Sequence, residues 1–376
     1  MNTMHQLVPI IIKDALLAKK VLASKSFIIA PVPQYIRDID SRTEHDFSFL
    51  SDFAERILLF MNGKELWEAK KLLAQSLNRE ELNCYTMSFQ LHIDRLLTPT
   101  RPNNKIDLVN DVTNHLYKHV VEDLWGIRVS SQSMLLKMAN GVAGLLEPMP
   151  RIRKLLEYQN DCEDFYKELI PQVSLFRKTS ALASKLQAQF AHLDERNFCF
   201  LLMSLVGGMR SAFDALNNGF FAFLQLDTEK RSVLSKQQIF DKNVDLFASL
   251  FSPSKVLARI CSETTKVGDQ EFVKGQRVLI DIRAANTTLE DVTNSDPLCV
   301  RNFFNKNISN VHFGAGVHRC PGKDVSQFMF PKIFNAVTEQ LKYSTLNSAD
   351  ILFEDNEMTK RIISMPINVM QTIETL

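Results

Sequence analysis

The sequence predicts a mainly α protein with a small β-rich side, organised as a single domain over residues 1–376. Three observations carry this prediction. Glycine is scarce, 12 of 376 residues or about 3% against a usual ~7%, so few turns are forced on the chain. Phenylalanine is abundant at 26, which calls for a bulky apolar interior. No repeat, low-complexity tract or Pro/Gly/Ser linker divides the chain.

The elements follow in order. Between Ser41 and about Leu224 apolar residues recur at three- and four-residue spacing, which predicts helices over 52–61, 65–77, 79–97 and 107–125. Gly126 follows the last of these, where a helix C-terminus favours glycine. The longest predicted helix covers 194–224, with Asp194 as its N-cap and Gly207-Gly208 in its middle. Each mid-helix glycine costs about 0.5–1 kcal/mol relative to Ala, so the pair signals close approach of a ligand or a tight helix crossing. After Pro253 the pattern changes: 255–260 and 276–282 read as strands, with Gly268 and Gly275 between them. A polar meander over 294–310 leads to a helix over 323–341, and 362–369 closes the chain as a strand pair.

Composition excludes several classes of function. Lys+Arg 44 against Asp+Glu 43 leaves a net charge of +1, so no global field draws the chain to nucleic acid or to an anionic membrane. The longest nearly apolar run, 198–206, is far shorter than the roughly twenty residues needed to span a bilayer. The N-terminal run from Leu7 to Ile12 is cut by Lys13, Lys19 and Lys20, and no cleavage site follows. Cys84, Cys162, Cys199, Cys261, Cys299 and Cys320 form no CxxC pair, which argues against a zinc site and against disulfide stapling. The expectation is a soluble cytoplasmic protein with reduced thiols and neither a nucleic-acid nor a membrane partner.

One segment concentrates chemistry. Residues 311–322 read Val-His-Phe-Gly-Ala-Gly-Val-His-Arg-Cys-Pro-Gly and run directly into the predicted helix at Lys323. A thiolate just before a helix N-terminus sits where backbone N–H groups favour negative charge, which suits an anionic sulfur ligand. Gly314 and Gly316 let backbone lie flat against a large planar object, and Phe313 can shield the sulfur. The other five cysteines are expected to be core thiols.

The motif F-G-x-G-x-H-x-C-x-G resembles the heme-binding signature of the cytochrome P450 superfamily, matched at every fixed position by Phe313, Gly314, Gly316, His318, Cys320 and Gly322. The resemblance implies heme b with Cys320 as its proximal iron ligand and His318 against a heme propionate. The thiolate then pushes electron density onto iron to favour O–O cleavage. Pro321 has no N–H to offer the sulfur, which leaves it more electron-donating. The likeness continues ungapped through Pro253, Arg259, Val273-Lys274-Gly275, Val278 to Ile280 and Ala284-Ala285-Asn286, and it places a propionate-binding arginine at Arg259.

Departures from the family pattern are equally informative. Counting back from Arg259, the ExxR pair of the K helix falls on Leu246 and Ser249, which cannot form an ion pair. The meander arginine that completes that cluster has only Arg301, Asn305 and Lys306 near its place. In the C helix the H-x-x-x-R pattern becomes Leu66-Trp67-Glu68-Ala69-Lys70, leaving Lys70, and the indole N–H of Trp67, as propionate-binding candidates beside a plain core role for Trp67. In the I helix the small-Gly-x-acid-alcohol pattern becomes Gly207-Gly208-Met209-Arg210-Ser211, with Gly208 nearest the heme.

Arg210 in the acid position leaves three readings of catalysis, because a permanently protonated arginine cannot relay protons. In one, Ser211 and water carry protons in a monooxygenase fed by a ferredoxin or flavodoxin. In the second, Arg210 faces the distal pocket and binds an anionic substrate, as in peroxide-dependent members. In the third, Arg210 turns away to a salt bridge and the heme serves a non-oxygenating step such as phenol coupling or dehydration. A heme-binding partner protein without catalysis is the alternative of a different class. Substrate recognition is expected from 37–60, 134–176, the centre of the I helix and the residues after Pro253, with an apolar lid or ordinary packing over 134–150. Lys70, Lys71, Arg319 and Lys323 are expected to form a basic proximal patch for an acidic electron carrier. The reading as a whole is an oxidoreductase of specialised metabolism acting on a small organic molecule.

Overall fold

The computed structural model describes residues 8–97, 105–147, 150–175, 181–237, 244–286 and 311–369. The meander over 294–310, with Arg301, Asn305 and Lys306, and Cys299 lie outside the described residues. Helices make up most of the rest: α1 (Ala15–Ala23), α2 (Val32–Asp40), α3 (Ser48–Arg56), α4 (Gly63–Ser76), α5 (Arg79–Asn83), α6 (Thr86–Leu97), α7 (Asn114–Trp125), α8 (Gln132–Gly144), α9 (Ile152–Val173), α10 (Ala181–Gln189), α11 (Glu195–Leu224), α12 (Thr228–Gln237), α13 (Val244–Phe251), α14 (Ile282–Asn286) and α15 (Lys323–Leu341).

Local chemistry explains where these helices agree with the sequence and where they do not. Asp194 caps α11 by accepting the Asn197 N–H at 2.7 Å, and Gly126 ends α7 with φ +66°. The helix over 79–97 breaks at Cys84-Tyr85, inside a run of poor helix formers from Asn83 to Thr86. The helix over 107–125 opens instead with a π-helical turn, Leu108–Thr113, capped by Asp107, which accepts the N–H groups of Val109 and Asn110 at 3.0 and 3.1 Å. The helix over 52–61 lies earlier, ending at Arg56; Ile57, Leu58, Phe60 and Met61 are buried as turn residues, so their apolar spacing reports burial without helix.

The strands are β1 (Ile10–Ile12), β2 (Phe27–Ile28), β3 (Lys105–Asp107), β4 (Val256–Cys261), β5 (Thr265–Val267), β6 (Gln270–Phe272), β7 (Arg277–Asp281), β8 (Thr345–Leu346), β9 (Leu352–Asp355), β10 (Lys360–Ser364) and β11 (Pro366–Asn368). A four-stranded sheet runs β1-β7-β4-β2, with β1 parallel to β7 and Ile10 opposite Val278. The two strands expected over 362–369 form but do not pair with each other: β10 pairs with β9, and β11 lies between β3 and β8. Only Met365 separates them, too short a connection for a hairpin.

The core centres on α11, which is buried along nearly its whole length. Length and hydropathy alone would let α11 cross a membrane, but most of its apolar window is inside the protein. Phenylalanines hold its C-terminal half against α13 and α15: Phe247 lies 5.1 Å from both Phe330 and Phe334, and Phe334 stacks on Phe220 at 5.5 Å. Gly219 makes room, since a Cβ there would stand 2.7 Å from the Phe247 ring.

Candidate functional site

The loop before α15 is built by its glycines. Gly314 and Gly316 have φ of +69° and +67°, a conformation that other residues adopt only with strain. A Cβ on Gly316 would also stand 2.7 Å from the Leu22 carbonyl oxygen and the Ala23 Cα, so α1 and the loop touch backbone to backbone. The Gly314 N–H donates to the Val311 carbonyl at 2.8 Å and the Cys320 N–H to the Phe313 carbonyl at 2.7 Å, which folds the loop back and presents Cys320 at the start of α15. Val311 is anchored in turn by Asn286, whose Oδ1 accepts its N–H at 2.8 Å.

Cys320 keeps accessible surface although the protein around it is dense enough to desolvate its sulfur. Burial pushes its thiol up, partly offset by the Gly322 N–H and by the positive charge of Lys70 and Arg319. One backbone donor therefore reaches the sulfur despite Pro321. A metal ion on the sulfur would remove the proton outright. Of the other cysteines, Cys162, Cys199 and Cys261 are buried as expected, whereas Cys84 is exposed.

Two ionisable groups beside the loop, a buried Arg259 and a half-buried His318, have enclosed nitrogens without hydrogen-bond partners. Arg259, on β4, is 4% exposed; it donates to its neighbour's carbonyl at 2.8 Å, while its Nε is unpaired and burial alone lowers its pKa to about 10. His318 has an unpaired Nδ1, and burial together with the Arg259 and Lys70 charges pushes its pKa down to about 4. A buried guanidinium without a carboxylate is costly unless an anion completes it. An accessible thiol flanked by these two groups fits a large planar cofactor bearing carboxylates, as heme does.

The C-helix candidates part company. Lys70 Nζ donates to the carbonyl of Val317 at 2.7 Å and also to that of Arg319, so it ties α4 to the cysteine loop. Trp67 is 59% exposed, with Lys71 Nζ 5.3 Å from its ring centre, so it is not a core residue. Lys323 does not extend the expected basic patch, because its side chain is largely buried against Asp245.

On α11 the two central glycines divide the two expected roles. A Cβ on Gly207 would stand 2.7 Å from Val142 on α8, which is a tight helix crossing. A Cβ on Gly208 would meet nothing within 4 Å, and Gly208 and Ser211 are the exposed residues at the centre of an otherwise buried stretch. Ser211 donates its hydroxyl to the Gly208 carbonyl at 2.9 Å.

Arg210 is turned away from that open face. Helical geometry puts it about 200° round from Gly208 and about 100° from Ser211. It is 6% exposed, its Nε 3.1 Å from Asp214 Oδ1, its Nη1 donating to Asn114 Oδ1 at 2.5 Å, and its guanidinium over the Tyr117 ring at 5.8 Å. Burial pushes the Asp214 carboxyl up, with Arg210 and Arg361 pulling it back. Of the readings of Arg210, named among the catalytic candidates, its contacts fit the turn to a salt bridge and not the distal pocket: its charge is used on Asp214, which the sequence pattern did not single out. An acid one helical turn on from Arg210 was the available signal. Over 134–150 Leu135 and Leu145 are fully buried, as packing requires, whereas Leu136 is partly buried and Leu146 is 37% exposed. No cluster of three or more His, Cys, Asp or Glu suited to a metal ion occurs among the described residues.

The loop, its accessible thiol and the buried Arg259 beside it fit a heme-thiolate site. No family model matches the chain. Curated relatives do: it is 21% identical to pulcherriminic acid synthase of Bacillus subtilis (strain 168), covering 82% of this chain and 80% of that one. It is 20% identical to the biotin biosynthesis cytochrome P450 of the same organism, covering 80% and 76%. Among solved structures, P450BioI in complex with an acyl-carrier-protein-ligated hexadecenoic acid superposes with a TM-score of 0.80 at 15% identity, over 97% of this chain and 96% of that one. CalO2 superposes with a TM-score of 0.81 at 13% identity, over 98% and 94%. The chain has the cytochrome P450 fold and is similar in sequence to cytochrome P450s of the bacterial type, an enzyme class whose cofactor is heme b held through a cysteine thiolate.

Proposed function

We propose that the chain, as one heme-thiolate domain, is a cytoplasmic monooxygenase-type oxidoreductase that oxidises a small organic molecule of specialised metabolism with electrons from a ferredoxin or flavodoxin. Cys320 is the iron ligand; Arg259 and His318 hold the propionates, while Phe313, Gly314, Gly316 and Gly322 shape the loop. The accessible Cys320 beside an unpaired, buried Arg259 is the observation that carries this reading. When bound, the heme supplies redox and oxygen-activating chemistry.

The chain's own residues set the conditions for that chemistry. Lys70 fixes the loop by binding its carbonyls. Gly208 leaves α11 open where a ligand must approach, and the Ser211 hydroxyl stands at that opening to pass protons with water. Arg210 has no part in substrate binding, since Asp214 and Asn114 already occupy it. That removes support for a peroxide-dependent use of an anionic substrate. A non-oxygenating reaction is the second reading, favoured by the same buried pair, because no acid stands beside Ser211 in the usual position.

Reduced protein under carbon monoxide is expected to show the red-shifted band of thiolate ligation, and Cys320→Ala is expected to abolish it. An unchanged band in that variant sinks the assignment. Turnover with a redox partner and dioxygen, against turnover without oxygen incorporation, separates the two readings.

A further inference from the structure

The family's buried ion pair is absent from α13, where Leu246 and Ser249 occupy its positions. The adjacent residue carries a charge instead. Lys323 Nζ lies 3.0 Å from Asp245 Oδ1 and 3.1 Å from Oδ2, and Gln327 Nε2 donates to Oδ1 at 2.9 Å. Lys323 and Gln327 are four residues apart and so share one face of α15. Burial pushes the Asp245 carboxyl up, yet its bonds to Lys323 and Gln327 hold it below the usual range.

Lys323 is the residue through which this cluster meets the cysteine loop. It opens α15 three residues after Cys320, its backbone N–H lies 3.4 Å from the Cys320 carbonyl, and its ammonium lies 5.7 Å from the centre of the Phe313 ring. The Phe313 carbonyl in turn accepts the Cys320 N–H. The Lys323 side chain is 17% exposed and that of Asp245 44%, so solvent screens the pair from the Asp245 side only. A second tie runs from the same helix: Asn286 Nδ2 reaches the Ser249 carbonyl at 3.5 Å while its Oδ1 holds Val311.

We propose that Asp245, acting through Lys323 and Gln327, is a positioning residue that sets the Cys320 loop against α13 in place of the missing ion pair. The proposal rests on Cys320 being the iron ligand. Lys70 and Asn286 hold the loop itself, whereas Lys323 and Gln327 tie down the start of the helix that follows it. The ion pair fixes the first turn of α15 and with it the direction of the sulfur.

The test uses heme-loaded protein and the variants Asp245→Ala, Asp245→Glu, Lys323→Met and Asp245→Ala/Lys323→Met. Three quantities are measured: the share of reduced, carbon monoxide-bound protein in the red-shifted band, the rate of heme loss to excess apomyoglobin, and the Tm. Asp245→Ala and Lys323→Met are each expected to lose heme at least about fivefold faster and to shift protein out of the thiolate band. Asp245→Glu is expected to preserve both, and the double variant to be no worse than either single one, since they break the same link. A lower Tm with band and heme-loss rate unchanged, or single effects that add in the double variant, would overturn the proposal. Should Asp245→Ala fail to fold, Lys323→Met carries the test alone, because it leaves a half-exposed carboxylate that water can solvate. If Cys320→Ala itself keeps the band, the ligand assignment has failed and not the brace.

Discussion

Removing the Arg210 guanidinium tests in which direction it points. In Arg210→Ala the Asp214 carboxylate, 4% exposed, loses the cation 3.1 Å away. Breaking a buried pair from one side costs about 3–5 kcal/mol. With a melting entropy of about 2.1 cal/mol/K per residue, the 376-residue chain has about 0.8 kcal/mol/K, so Tm should fall by about 4–6 °C. The pH dependence has a definite sign. Burial already raises the Asp214 carboxyl, and losing Arg210 raises it further. A carboxyl with a raised folded pKa favours the native state below its unfolded pKa and loses that contribution as pH rises through the folded one, so the deficit of the variant should widen with pH and narrow in acid. Replacing both partners by apolar residues, Arg210→Met with Asp214→Leu, should recover most of the loss. Calorimetry gives Tm, and a spin-state titration with carboxylate ligands gives affinity. The expected result is a lower Tm with carboxylate affinity unchanged. An unchanged Tm with a tenfold or greater loss of carboxylate affinity would place Arg210 in the substrate pocket and refute the reasoning.

Further outcomes follow from the same geometry. Gly207→Ala should destabilise by about 1–3 kcal/mol in urea unfolding, because its Cβ would press Val142 at 2.7 Å. Gly208→Ala should raise stability by up to about 1 kcal/mol while weakening ligand-induced spin shifts, since only the open face of α11 is filled; equal effects of the two would contradict their separate roles. His312 is half-buried with both ring nitrogens enclosed and unpaired, and desolvation pushes its pKa down to about 4, with Asp245 opposing and Lys323 adding to the shift. A depressed imidazole contributes stability above its ordinary pKa of 6.5 that is lost as pH falls toward about 4. His312→Phe should flatten that part of the stability curve, and unfolding at a series of pH values with identical slopes in both proteins would exclude it.

The cysteine loop was the most legible part of the sequence because each fixed residue answers a local demand. Gly314 and Gly316 stand where only glycine is unstrained, and Cys320 stands at a helix start whatever the rest of the fold does. The long helix was legible too, through the Asp194 cap and its apolar length. Long-range pairing was not. The Leu7 to Ile12 run was too short to be read as a strand until β7 supplied its partner, and β10 and β11 found partners far away in sequence. The direction of Arg210 depended on Asn114, 96 residues earlier in the chain, and no local pattern encodes such a contact. The missing ExxR pair was visible, but its substitute was not, because Asp245 and Lys323 meet only through the packing of α13 on α15.

The contact of Gly316 with Leu22 and Ala23 bears on how this protein can be trimmed or fused. The backbone of α1 is a wall of the cysteine loop, and β1 secures it by pairing with the β-sheet strand next to Arg259's own. A truncated form that begins after Ala23 would uncover Gly316 and release the edge of that sheet. Reductase fusions and affinity tags joined at the N-terminus should therefore leave everything from Ile10 onward intact.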